Sequence, residues 1–346
     1  MKRIVIVSIL TMFFSISLFA RNYLWIYEPL GYKNKEKRTY SAKFHKISAD
    51  GKNLLASVES PTGIIYAITA DNKKRRVFFS TGGVILCLSD KGKITAIGKQ
   101  FIGYLRQIMG FTYDEKNQVL WVSVRARSEI LRLALKGDEV KEGKRIKGFK
   151  GQTAIVCDPE DGSVWIADCG VKNPEDPEKP PSWVVKLDKD GKRLLSLKGY
   201  NMLGVREQGL ALTKDAVYVA DSANHRIVIL SKEGEIQKEV PIPYPRAVSA
   251  DSEGNVWVVA STNKKGAYPG QIVKLSPEGG LLVKKENMNV LYLCAVKGGC
   301  WVAKGGPGLI FIDNEGKTSV FGCPKYAPSS WELKARITKI VFMKKR

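Results

Sequence analysis

The sequence predicts an all-β protein, a seven-bladed β-propeller of four-stranded blades, and three observations carry that reading. Aromatic residues recur at Phe78, Trp121, Trp165, Tyr218, Trp257 and Trp301, with spacings of 43, 44, 53, 39 and 44 residues. Each opens or sits within a short apolar stretch that is followed by a loop, a second apolar stretch and a Gly turn. Those turns fall at Gly51, Gly92, Gly137, Gly191, Gly234, Gly279 and Gly316, one more than the aromatic residues. A period of roughly 40–45 residues holding four strands is that of a propeller blade.

The elements of one unit follow in order. An apolar inner stretch comes first, as in "TAIVCD", "GLALTKD" and "AVSAD". A polar turn leads to the aromatic strand, as in "VYVAD" or "VWIAD". A variable loop and a third strand ending in Leu or Ile come next. The Gly turn then reverses the chain into a last strand, with Asp, Gly and Pro at the reversals as hairpins require. The long 53-residue spacing is explained by the insertion "CGVKNPEDPEKPP".

A seventh aromatic strand is supplied by "YLWIYEP", with Trp25 in the matching slot. Its blade then lacks an inner strand, which "RITKIVFMKK" (336–345) provides from the other end of the chain. Closing the ring with one C-terminal and three N-terminal strands removes open sheet edges. Six blades with ragged ends is the alternative.

Residues 1–20 have Lys2 and Arg3 ahead of an uncharged apolar run from Ile4 to Ala20. That is the layout of a secretory signal peptide, with residues 21–346 as the single propeller domain. An uncleaved anchor is the alternative, although 17 apolar residues fall short of the roughly 20 needed to span a bilayer. The expected location is exported: periplasmic, extracellular or envelope-associated.

The chain carries a formal net charge of +22, and without Lys2 and Arg3 it keeps 54 basic residues against 34 acidic ones. Such an excess favours anionic partners. Export argues against nucleic acid and leaves a protein, a peptide, an anionic glycan or proximity to a membrane, with the chain expected as a monomer. Six cysteines are too few for a disulfide-stapled scaffold of this length. Pairing of Cys294 with Cys300, or of Cys157 with Cys169, is open to an exported chain, while buried thiols are the default.

The stretch "VYVADSANHRIVILSKEGE" (217–235) resembles the NHL repeat, whose pattern runs aromatic strand, V-A-D, N-x-R-I and a Gly turn. "VWIADCG" matches its first half, and "VWVVAST…GQIVKLSPEG" is a looser copy. The wider group of look-alikes includes gluconolactonase/regucalcin-like hydrolases, streptogramin-type lyases and peptide-amidating lyases. What the resemblance implies is a propeller that serves as a binding or scaffold module, with catalysis in only some relatives. The two histidines, His45 and His225, do not supply the three-His metal site of the amidating lyases. The "EGP" start and "NG" inner loop of the lactonase-like enzymes are missing.

Within 217–235, Asp221 and Arg226 are expected to brace the loop between the second and third strands, and Asp168 holds the matching place in another blade. His225 is expected on the rim. Because strand direction alternates, this loop shares one face with the blade-to-blade connections, and the Gly turns lie on the other. The loop face receives the polar residues at the starts of the inner strands: Arg106, Gln107, Gln152, Arg206, Glu207, Gln208, Tyr244 and Arg246. Together they form the expected ligand-binding mouth of the axial channel, with Arg125 and Arg127 on its rim. Guanidiniums in several blades suit carboxylate or phosphate recognition.

Phosphate-loop, nucleophile-elbow, H-E-x-x-H and acidic calcium-loop motifs do not occur. The expectation is therefore a non-enzymatic binding or scaffold module without a cofactor. The alternative is a metal-assisted lactonase- or lyase-type enzyme acting on a small carboxylate-bearing substrate, with Glu207, Gln152 and Gln208 around a divalent ion.

Overall fold

A computed structural model shows seven four-stranded antiparallel sheets. It describes residues 22–34, 39–61, 65–81, 84–98, 108–170, 182–202, 208–261, 270–288, 290–304, 308–322 and 339–343. In blade one the sheet order places Lys339–Met343 innermost, followed by Tyr23–Asn34, Thr39–Ser48 and Leu54–Glu59. Tyr23 pairs with Met343 and Trp25 with Val341, so the ring closes one-plus-three. Blades two to seven begin with inner strands Ile68–Asp71, Ile108–Asp114, Gln152–Cys157, Leu210–Leu212, Pro245–Ala250 and Val290–Val296. Each inner strand touches the next around the ring, including blade seven against blade one and blade one against blade two. The six-blade alternative is thereby excluded.

All seven aromatic residues lie on the second strands, and each is at most 1% exposed. They fill the spaces between blades, where burying a large side chain stabilises the fold by roughly 1.5–3 kcal/mol. A basic residue directly across the hairpin covers four of them: Lys46 for Trp25, Arg132 for Trp121, Lys186 for Trp165 and Lys274 for Trp257. The cations stand 6.0, 5.9, 5.3 and 5.7 Å from the respective ring centroids, within cation–π range.

The same basic groups reach into the next blade. Lys46 Nζ donates to Asp90 Oδ1 at 2.6 Å, Arg132 Nε to the Lys189 carbonyl at 2.7 Å, and Lys186 Nζ to the Lys232 carbonyl at 2.8 Å. Lys274 Nζ donates to Asn314 Oδ1 at 2.8 Å. Where the basic partner is absent, another group takes its place. Tyr218 Oη donates to the Pro277 carbonyl at 2.7 Å, and Arg76 Nη1 donates to the Gly137 carbonyl at 2.8 Å. Between blades seven and one, Trp301 itself presses on the Gly51 turn: a Cβ at Gly51 would lie 2.5 Å from its Cη2. Every Gly turn that receives such a contact is the third-to-fourth reversal of the following blade. The repeat in the sequence is therefore a repeat of blade-to-blade clips.

The cysteine pairs do not bond to each other. Cys294 lies opposite Trp301 and Cys300 opposite Ala295, so the two thiols point to opposite faces of the sheet. Cys157 pairs with Val164 at one end of its hairpin, whereas Cys169 follows Asp168 at the other. Burial raises the thiol pKa of Cys294 to about 12 and of Cys87 to about 11.

Candidate binding face and axial channel

The register sorts the two faces. Gln152 pairs with Asp168 beside the second-to-third loop, while Cys157 pairs with Val164 at the opposite end, next to the Asp188–Gly191 turn. Starts of inner strands and second-to-third loops therefore share one face, the loop face, and Gly turns occupy the other, the turn face.

On the loop face, Asp221 is fully buried and organises its corner. Its Oδ1 accepts from the Asn201 N–H at 2.6 Å, and its Oδ2 accepts from Asn224 Nδ2 at 2.9 Å and Arg226 Nε at 2.7 Å. Arg226 also donates to Glu239 Oε1 at 2.6 Å. Asp168 does the equivalent work in blade four, accepting from the backbone N–H groups of Lys150 at 2.9 Å and Gly151 at 2.5 Å. Both carboxylates hold the incoming blade-to-blade connection by its amides, the local logic by which Asp braces a reversal.

His225 adopts a left-handed backbone (φ 57°), caps the short Ser222–Asn224 turn and stands exposed. Its ring meets that of Tyr244 edge-on, with centroids 4.1 Å apart. Two residues assigned separately, one to the rim and one to the mouth, are thus brought together between blades five and six. Arg246 is half-buried on the inner strand of blade six, and Arg125 and Arg127 are exposed on a 3-10 turn of blade three. Arg106, Gln107, Arg206 and Glu207 lie outside the described residues, and Gln152 is described only as backbone.

Gln208 turns down the channel. Its Nε2 donates to the Leu293 carbonyl at 2.6 Å, and its Oε1 accepts from the Leu293 N–H at 3.1 Å. The side chain thereby ties blade five to blade seven. A cavity of about 280 Å³ follows the channel wall past Thr69, Thr112, Val156, Ala211 and Ser249. Those five positions are equivalent: each lies directly opposite the recurring aromatic residue of its blade. Thr112 Oγ1 accepts from the Cys157 N–H at 3.1 Å and Ser249 Oγ from the Ala295 N–H at 3.0 Å, so hydroxyls satisfy the open edges of neighbouring inner strands. Sequence reasoning missed this ring, although the position opposite each aromatic was the signal that marks it.

A second cavity, of about 1100 Å³, opens at the turn-face end between blades seven and one. His45, on the third strand of blade one, was also left without a role. Its Nε2 lies 2.9 Å from Glu28 Oε2 and its Nδ1 2.8 Å from Ser57 Oγ, so it is held in a buried polar contact within its own blade, far from the axis. Among the described residues, no three His, Cys, Asp or Glu side chains are grouped to hold a metal ion.

No family model matches the chain, and no curated protein matches it. Solved structures do. A protein from Bacteroides uniformis provisionally assigned as a 6-phosphogluconolactonase superposes with a TM-score of 0.66 at 8% identity, covering 93% of this chain and 99% of that one. Streptogramin B lyase follows with a TM-score of 0.53 at 16% identity, over 83% of this chain and 96% of that one. The nidogen/laminin complex gives 0.51 at 13%, over 76% and 92%. At these identities the likeness establishes the fold: the chain is an all-β, seven-bladed propeller.

Proposed function

We propose that this chain is an exported, non-enzymatic propeller of NHL type whose basic loop face binds an anionic peptide, glycan or partner protein. The distribution of charge carries this reading. On the loop face, the acids Asp168, Asp221 and Glu129 are buried, while Arg125, Arg127, Lys147 and Lys150 stand exposed. On the turn face, acids and bases stand side by side in the reversals, as with Asp50 and Lys52, Asp188 and Lys192, or Glu315 and Lys317. Among the described residues the loop face thus exposes Arg125, Arg127, Lys147 and Lys150 beside the exposed acids Glu59 and Glu239, and the His225–Tyr244 pair adds an aromatic step there.

Immobilised heparin and poly-glutamate are suitable probes. Joint replacement of Arg106, Arg206 and Arg246 by Ala is expected to weaken retention at least tenfold at a fixed salt concentration. Unchanged retention overturns the reading. A second reading, a metal-assisted lactonase- or lyase-type enzyme, draws its support from the lactonase and lyase neighbours. A stoichiometric divalent ion in the purified protein, or a rise in melting temperature on adding calcium or zinc, would favour it over the first.

A further inference from the structure

The cavity at the turn-face end differs in chemistry from the loop face. Its wall is formed by Trp301, Phe311 and Phe321 of blade seven, which pack ring against ring with centroids 4.9 and 5.4 Å apart, and by Ile340 and Phe342 of the closing strand. Its inner end reaches the channel wall, where Gln208 is already engaged with Leu293 and Ser249 with Ala295. The deep end therefore offers little unspent hydrogen bonding, and an apolar group is what it can accept.

The outer end is polar, with Asn22, Asp50, Asn72, Ser252 and Lys297 around it. Two of these are charged, and they are not equivalent. Asp50 is turned back into its own reversal, where it accepts from Ser48 Oγ at 2.5 Å and from the Lys52 N–H at 3.1 Å. Lys297 is exposed and makes no hydrogen bond or ion pair among the described residues. An apolar cavity of several hundred cubic ångströms with a few polar groups at its mouth is the usual form of a small-molecule site.

We propose that this cavity binds an acyl-chain amphiphile with an anionic head: the chain lies along Phe311, Phe321 and Phe342, and the head sits on Lys297. The site opens at the turn-face end, meets the axial channel at Gln208 and Ser249, and does not depend on the function proposed for the loop face.

Isothermal titration of the purified full chain with dodecanoate, dodecyl phosphate and dodecanol, each below its aggregation concentration, tests this. Dodecanoate or dodecyl phosphate is expected to bind at least tenfold more tightly than dodecanol, and the stronger of the two identifies the head as carboxylate or phosphate. Lys297→Glu should remove that tenfold preference and leave dodecanol binding unchanged. Val296→Trp, or Ser319→Trp should the first variant fail to fold, fills the cavity and should abolish all three. No heat from any amphiphile overturns the proposal, as does equal binding by the wild type and the filled variant. Indifference to Lys297→Glu overturns the assignment of the head.

Discussion

The side-chain amide of Gln208 makes two hydrogen bonds to the backbone of Leu293, so one residue of blade five completes the open edge of an inner strand in blade seven. It spans the channel as an additional rung of sheet would. Gln208→Met keeps the length and removes both bonds, leaving a buried N–H and a buried carbonyl. The expected loss is about 1–3 kcal/mol, read as a shift in urea midpoint with an unchanged slope.

Two glycines separate the backbone demand of the turn from the packing between blades. Gly137 has φ +66° with nothing within 4 Å of an added Cβ, whereas Gly51 has φ +74° and would place that Cβ 2.5 Å from Trp301. Gly137→Ala should cost about 1–2 kcal/mol, the left-handed penalty alone. Gly51→Ala adds overpacking of about 1–3 kcal/mol. Thermal melts of the two variants should be clearly separated, with Gly51→Ala the lower.

Arg76 and Asp71 form a buried pair, Nε to Oδ2 at 2.9 Å, with both residues under 5% exposed. Arg76→Met leaves Asp71 buried without its cation and should cost about 3–5 kcal/mol. Adding Asp71→Asn to Arg76→Met should recover part of that loss. Strict additivity in this cycle would show that the pair is not coupled.

Asp90 receives Lys46 and Tyr23 from blade one. Burial works against its charged form, but the bonds from Lys46 and Tyr23 and the charges of Lys46 and Arg75 outweigh it, so its pKa lies below the ordinary carboxylate value. A carboxylate with a lowered native pKa contributes stability above its unfolded pKa of about 4, and that contribution disappears as pH falls through the native value. The melting temperatures of wild type and Asp90→Asn should differ at pH 6 and converge below about pH 4. A constant difference across that window would remove Asp90 from the acid response.

Burial raises the thiol pKa values of Cys87, Cys157, Cys294 and Cys300. Thiolates are the reactive form. Iodoacetamide at pH 8 should therefore leave these four unmodified in the folded protein and alkylate them in guanidinium, as peptide mass mapping can show.

The fold was legible because its information is local and repeated. Seven aromatic residues and seven turn glycines mark one contact made seven times, and Trp25 identified the split blade before its inner strand could be recognised from any motif. The role of Asp221 was legible for the same reason, since "DSANHR" encodes its own bracing. Gln208 was not, because its partner is 85 residues away and the bond runs to backbone, which leaves no side-chain signature. The buried Glu28–His45 pair escaped notice because period-two alternation places both on one sheet face without announcing that the face is covered. Lys297 looks in the sequence like any lysine of a turn, and only the cavity behind it makes it distinctive.

The closing strand has a consequence for the folding of the protein. Residues 339–343 are the inner strand of the blade that begins at Tyr23, so blade one remains a three-stranded fragment across the whole of residues 60–338. Blades two to seven each pair strands that are near in sequence, whereas the circle is joined only when residues 339–343 meet Tyr23–Tyr27. Closing so long a loop costs more chain entropy than pairing strands within one blade, so joining the ring is the kinetically slow pairing of the fold.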